Sequence, residues 1–276
     1  MEVKNWTIAT ELILLGFSKD PMANIFLFLL FSIIYLLTVG GNCVIIYVII
    51  VNTHLHTPMY LFLCNLSFID LSNTSSAVPK LLIDLFSVQR RISLNACLLQ
   101  LNVLLLIGAT ECQLLALTGF VWIFSFITVI MPSFGLPITL CYPNKINHFM
   151  CEVLPVIKLS CDDTYIKEIV IFSFSLFSLL PPFLFILTSY ICIIMAIIKI
   201  PSVGQSKASS TCTSHITVVA LYYGTGMVTY FRPFSNDSSN QEKYVSIFYV
   251  VIAPMLNPLI YSLNNAEVKK SLKKLF

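Results

Sequence analysis

Two carboxylates, Asp70 and Glu111, interrupt long apolar runs of this chain. Ionisable groups in such runs are costly and are candidate sites by default. Two carboxylates at close range would share either a proton or a cation. Asn42 and Asn257 place amides in two further apolar runs. Asn257-Pro258-x-x-Tyr261 also sets a proline inside its run. Proline removes a backbone donor and loosens a helix, so this string could act as a switch; a static kink is the alternative. His148-Phe149-Met150-Cys151-Glu152 has residue types that could hold copper or zinc.

Nine cysteines occur. Cys43, Cys64, Cys112, Cys192 and Cys212 sit in or beside apolar runs, where small apolar packing is the default. Cys97, Cys141, Cys151 and Cys161 fall between runs on one side, which suggests two disulfides with three possible connectivities. Spacing does not choose among them. A disulfide at Cys151 excludes a thiolate ligand there and is the preferred reading. No catalytic constellation is present: no nucleophile elbow, no phosphate-cradling glycine loop, no His-Glu-x-x-His. His54, His56, His148 and His215 lie near the ends of apolar runs and read as structural. The expectation is a protein that is not an enzyme, requires no cofactor and binds no nucleic acid.

The elements that must position these groups are membrane helices. Of 276 residues, 57% are hydrophobic and 11% charged, against about a quarter charged in a soluble domain. A bilayer core of roughly 30 Å needs about 20 helical residues to cross. Such spans are expected at Ile25–Val51, Met59–Val78, Leu98–Leu117, Thr118–Leu140, Ile169–Ile198, Cys212–Phe231 and Tyr244–Leu263. The third and fourth are joined without a polar loop. As one helix, Leu98–Leu140 would run roughly 64 Å, so it must fold back, and Thr118-Gly119 is the plausible bend.

Charge orients the chain. The groups from Lys199 to Lys207 and from Glu267 to Lys274 sum to +5, while those on the other side cancel. By the positive-inside rule the C-terminus is cytoplasmic. Asn5-Trp6-Thr7 is a glycosylation acceptor and suggests an outside N-terminus. Opposite sides require an odd number of crossings. Residues 1–24 then form an extracellular N-terminus, 25–263 a single bundle, and 264–276 a cytoplasmic tail. In that tail Val268, Leu272, Leu275 and Phe276 share one face of an amphipathic helix.

Five separated strings carry a resemblance. They are Gly41-Asn42, Leu55-His56-Thr57-Pro58-Met59-Tyr60, Ser189-Tyr190, Lys207 to His215 with Tyr222-Tyr223-Gly224, and Pro254-Met255-Leu256-Asn257-Pro258-Leu259-Ile260-Tyr261. Together, and in order, they resemble the olfactory receptors, a branch of the rhodopsin-like G-protein-coupled receptors, and the tetrapod-type class in particular. The resemblance implies an all-α seven-helix transmembrane fold at the plasma membrane. It implies a receptor for small hydrophobic volatile odorants that signals to a stimulatory heterotrimeric G protein. Disulfides like Cys97–Cys151 and Cys141–Cys161 are implied. So is a hydrated polar cluster around Asp70, Glu111, Asn42 and Asn257 that can hold Na⁺. An odorant pocket is implied at Leu104, Leu105, Gly108, Ala109, Ser175, Ser178, Tyr223, Met227 and Tyr230. Tyr190, Asn257, Pro258 and Tyr261 would form an activation switch, with the two tyrosines meeting at the inner end.

The family pattern breaks at one place. Gly108 to Leu117 should run on into Met-Ala-Tyr-Asp-Arg-Tyr and a basic inner loop. Here Leu117 is followed by Thr118-Gly119-Phe120-Val121-Trp122, which looks like fourth-span sequence. Roughly thirty residues are missing, and Asn264 stands where the family usually has arginine. The expectation is weak or absent coupling, and a receptor-derived chain that folds or signals poorly is the alternative. A transporter or channel has no support, because no inverted repeat is present.

Overall fold

The computed structural model describes residues 10–113, 144–161, 164–198, 216–217, 219–231, 239–264, 268 and 270–271. Helix α1 spans Pro21–Val51 and starts one turn before the expected Ile25. The reason is local: Asp20 caps the end by accepting from the Ala23 amide, and Pro21 occupies the first turn, where its missing N–H costs nothing. Helix α2, Pro58–Phe86, runs well past the expected end at Val78. Pro79 does not stop it. Gln100 donates to the Ser76 carbonyl just before the proline at 2.7 Å, and Lys80 pairs with Asp84 in the added turns.

Helix α3 is Leu94–Gln113. Short helix α4, Val153–Ile157, lies in the long loop expected on the outer side, and α5 is Tyr165–Ile198. Helix α6 covers 219–230. The last span starts earlier than the expected Tyr244. It consists of α7 (Ser239–Ile247), a π-helical segment (Phe248–Ile252) and α8 (Ala253–Asn264). Helices α1, α2 and α8 pack together, α2 packs on α3, and α3 on α5. Met22, Phe26, Ile33 and Leu36 of α1 are left exposed, the expected face toward lipid. The span expected at Thr118–Leu140, its bend at Thr118-Gly119 and the start of the sixth span lie outside the described residues. So does most of the tail. Val268 is described and fully buried, against Ile45, Val48, Leu55 and Tyr60.

The sequence reading missed a small outer sheet. Strand β1 (Glu11–Leu14) pairs antiparallel with β2 (Arg91–Ser93) and parallel with β3 (Lys145–Ile146). Alternation on β1 turns Leu12 and Leu14 inward. There they join Ile92, Ile146, Cys97 and Cys151 in one buried cluster.

Candidate functional site

The outer end of the bundle holds a buried polar cluster centred on Glu152. Glu152 is 3% exposed. A buried charge is tolerated only when hydrogen-bonded, and here donors arrive from three elements. His148 Nε2 lies 3.1 Å from Oε2 and the Ser246 hydroxyl 2.8 Å from it. Tyr249 donates to Oε1, and the Tyr230 hydroxyl stands 3.5 Å away. The Met150 amide lies against His148 Nδ1 at 3.2 Å, which turns Nε2 toward the carboxylate. Burial pushes the Glu152 carboxyl up, but the hydrogen bond and Coulombic attraction of His148, with the hydrogen bonds of Tyr249 and Ser246, outweigh it, and the group settles below the usual carboxylate range.

The surrounding fold explains the convergence. Cys151 is joined to Cys97 at the start of α3, with Cα atoms 5.4 Å apart, and its amide donates to Gln100 Oε1 at 2.8 Å. This fixes the residue next to Glu152 against α3. The π-helical segment re-aims Tyr249, and its loosened carbonyls are taken up from α2. Asn73 Nδ2 donates to Tyr249 O at 3.3 Å and Thr74 Oγ1 to Val250 O at 3.2 Å. The copper or zinc reading of His148 to Glu152 fails, because Cys151 has no thiolate to offer and His148 Nε2 faces the carboxylate.

The sequence reading missed Ser246 and Tyr249, which lie about a hundred residues from Glu152. Tyr230 links this cluster to the expected odorant residues. Tyr223 is buried with Leu179 and Ile186 of α5, and Phe183, Met227 and Tyr230 pack on the same cluster. Ser175 is buried and Ser178 half-buried on α5, and Ser178 donates to the Ser175 carbonyl at 3.3 Å. Five expected residues therefore belong to α5 and α6. Leu104 instead packs on a different cluster, with Ala77, Val78 and Val250. Leu105, Gly108 and Ala109 are helical in α3, but their side chains are outside those described.

Deeper in the bundle, Asn257 Nδ2 donates to Asp70 Oδ2 at 2.8 Å, and both residues are buried. Asn42 Nδ2 donates to Thr38 O at 3.0 Å and Pro254 O at 3.1 Å, tying α1 to α8. The Oδ1 atoms of Asn42 and Asn257 are buried without a hydrogen-bond partner among the described residues. A Cβ on Gly41 would meet Pro258 Cβ at 2.9 Å, so only glycine permits this approach of α1 to α8. Tyr190 packs on the Tyr223 cluster. The side chains of Tyr261 and Glu111 are outside those described, as are Asn5 and Cys141. Cys161 is disulfide-bonded.

Comparison with known proteins places this geometry. The olfactory receptor family model matches residues 31–130 and 107–276. Mouse olfactory receptor 5AP2 is 43% identical, covering 99% of this chain and 95% of the relative. Human olfactory receptor 2A12 is 41% identical over 98% and 96%. Mouse olfactory receptor 5AR1 is 39% identical over 307 aligned positions. Set against 276 residues, that alignment leaves about 31 positions of the relative without a counterpart. The two family matches overlap at 107–130, where the sequence lacks the Asp-Arg-Tyr block. The crystal structure of squid rhodopsin superposes with a TM-score of 0.63 at 16% identity, covering 94% of this chain and 87% of that one. The fold is thus the seven-helix receptor fold, and the chain is a multi-pass membrane protein that belongs to the olfactory receptor family, the odorant-sensing G-protein-coupled receptors.

Proposed function

We propose that small hydrophobic odorants bearing one polar group bind between α3, α5 and α6, beneath the Glu152 cluster. The carrying observation is the α5–α6 contact. There Leu179, Phe183 and Ile186 of α5 pack with Tyr223 and Met227 of α6, Ser175 and Ser178 lie on the same helix α5, and Tyr230 reaches the Glu152 carboxylate. An apolar lining with few polar groups suits such ligands. The N-terminus is extracellular and the C-terminus cytoplasmic. Signalling runs to a stimulatory heterotrimeric G protein, weakened by loss of the Asp-Arg-Tyr block and inner loop. Tyr190, Asn257, Pro258 and Tyr261 remain to carry the switch.

The test is cAMP accumulation in cells with matched surface receptor, challenged with medium-chain alcohols, aldehydes and ketones. Two chains are compared: this one, and one with the missing block restored from mouse olfactory receptor 5AP2. The restored chain should respond to at least one volatile and the parent markedly less. Equal responses would remove the block from the account. A restored chain that responds to none, on cells where the mouse relative does, would refute the odorant site.

Sodium fits the inner cluster. Asp70 and the Oδ1 atoms of Asn42 and Asn257, which have no partner among the described residues, offer oxygen donors, the set a hard cation prefers. When bound, Na⁺ would supply charge balance for Asp70. Replacing sodium by N-methylglucamine should shift the odorant response of the wild type and leave Asp70→Asn unchanged; identical responses in both would exclude it.

A further inference from the structure

The chain before α1 is held by an arrangement that the odorant site and the disulfides do not explain. Between β1 and α1 the backbone bends at Leu15 to Ser18, where Gly16 adopts φ +64. Three carbonyls of this bend and its flank are gripped by cations from elsewhere. Arg90 Nη1 donates to Leu15 O at 2.6 Å and Nη2 to Ser18 O at 2.7 Å. Lys243, from α7, donates to Gly16 O at 2.9 Å and to Asn147 Oδ1 at 3.1 Å. Neither cation forms an ion pair among the described residues, and Lys243 is 5% exposed. The Tyr244 ring lies 6.0 Å from its ammonium, and its hydrogen bonds among the described residues go to Gly16 O and Asn147 Oδ1, so the lysine ties the bend to the loop.

Gly16 is adapted to the same grip. A Cβ there would stand 2.4 Å from Arg90 Nη1, on a backbone conformation that side chains rarely adopt. The bend in turn holds the outer loop. The amides of Ile13, Leu15 and Gly16 donate to Asn144, Ile146 and His148 carbonyls at 2.8, 2.9 and 3.1 Å. Phe17 stacks on Phe149 with ring centroids 5.0 Å apart. One continuous set of contacts therefore runs from Arg90 and Lys243, through the bend, to the segment that carries His148 and Glu152.

We infer that Arg90 and Lys243 are positioning residues: by clamping the Leu15–Ser18 bend they make the N-terminal strand a strap that holds the Lys145–Glu152 segment over the outer end of the bundle. The strap acts at a distance from any odorant, through backbone placement.

Hydrogen exchange followed by mass spectrometry on the purified full chain in detergent tests this without a ligand. Peptides covering residues 11–18 and 145–152 should be protected in the parent. In Arg90→Met and Lys243→Met both should exchange at least about tenfold faster, since each variant loses two charged hydrogen bonds and one alone is worth about that factor. Lys243→Arg, which keeps a donor, should return both near the parent. A peptide inside α2, residues 69–78, should stay unchanged throughout, which separates release of the strap from loosening of the bundle. Three results would overturn the proposal. They are unchanged exchange in both Met variants, acceleration of 11–18 without 145–152, and parallel acceleration of the α2 peptide. If Lys243→Met cannot be purified, Arg90→Met alone decides, because its guanidinium lies at the outer rim.

Discussion

Replacing Glu152 by glutamine should unsettle the outer end of the receptor more than any other isosteric change there. The carboxylate accepts from His148 Nε2 at 3.1 Å, from Ser246 at 2.8 Å and from Tyr249, with Tyr230 at 3.5 Å. Glutamine keeps one acceptor oxygen. Turned toward His148 and Ser246, it satisfies both, and its NH₂ then faces the two tyrosine hydroxyls. Those hydroxyls can rotate to accept, so no donor is stranded outright. The loss is the charge on two or three hydrogen bonds, about 2–4 kcal/mol in all. For a chain of this length that lowers the melting temperature by about 5–10 °C. The assay is thermal unfolding of purified receptor in detergent, read by loss of the helical circular dichroism signal. A Glu152→Gln protein melting within about 1 °C of the parent would refute the reasoning.

The same residue gives a pH dependence, because its folded value is depressed. Its stabilisation is complete above the unfolded glutamate value and is lost as pH falls through the lower folded value. The contribution of Glu152 to the parent's melting temperature should therefore be constant from about pH 8 to about pH 5 and fall away below about pH 4; a contribution that vanishes near neutrality in the wild-type-minus-Gln difference would contradict this. Gly41→Ala should push α1 from α8, since its Cβ would lie 2.9 Å from Pro258, at a cost of about 1–3 kcal/mol, visible as reduced surface expression and an earlier melt. Removing the Cys97–Cys151 bond in a double serine variant frees a link spanning 54 residues, worth about 4 kcal/mol by chain entropy; wild-type surface levels and melting in that variant would contradict the outer-clamp role. Asn73→Leu with Thr74→Val strips the side-chain bonds to the π-helical carbonyls and should displace Tyr249, lowering stability by about 1–2 kcal/mol; an added Glu152→Gln should then cost less than in the parent, whereas simple additivity would contradict the coupling.

Much of the frame was legible. Apolar runs fix helices because the bilayer leaves no alternative for backbone groups, and α1, α3 and α5 lie close to the expected spans. Where ends were misplaced, the cause is local chemistry that a hydropathy reading discounts. Pro79 reads as a stop, yet α2 continues because Lys80 and Asp84 neutralise each other one turn on. Glu242 and Lys243 read as loop, yet α7 includes them because Lys158 and the Gly16 carbonyl meet their charges. The Asp70–Asn257 pair was legible only through the family resemblance, which implies that these positions converge; the two residues stand 187 apart in the chain. The outer sheet does not, since Glu11 to Leu14 is only four residues long and its partners lie far along the chain. The Glu152 cluster was half-legible. His148 and Glu152 stood out by type, but a helical spacing of four suggests a metal pair as readily as a carboxylate and its donor. Only the fold brings Ser246 and Tyr249 to them.

Odorant binding can be measured apart from coupling. A ligand that binds the folded state alone raises the melting temperature, by about 2.7 kcal/mol of stability at a hundredfold excess over its dissociation constant. The purified chain should be melted against a panel of small volatile alcohols, aldehydes and ketones, beside mouse olfactory receptor 5AP2 handled identically. The account predicts that at least one volatile raises the melting temperature of this chain, and that Tyr223→Ala with Met227→Ala abolishes the shift. A panel that stabilises the mouse relative and leaves this chain unmoved would contradict it.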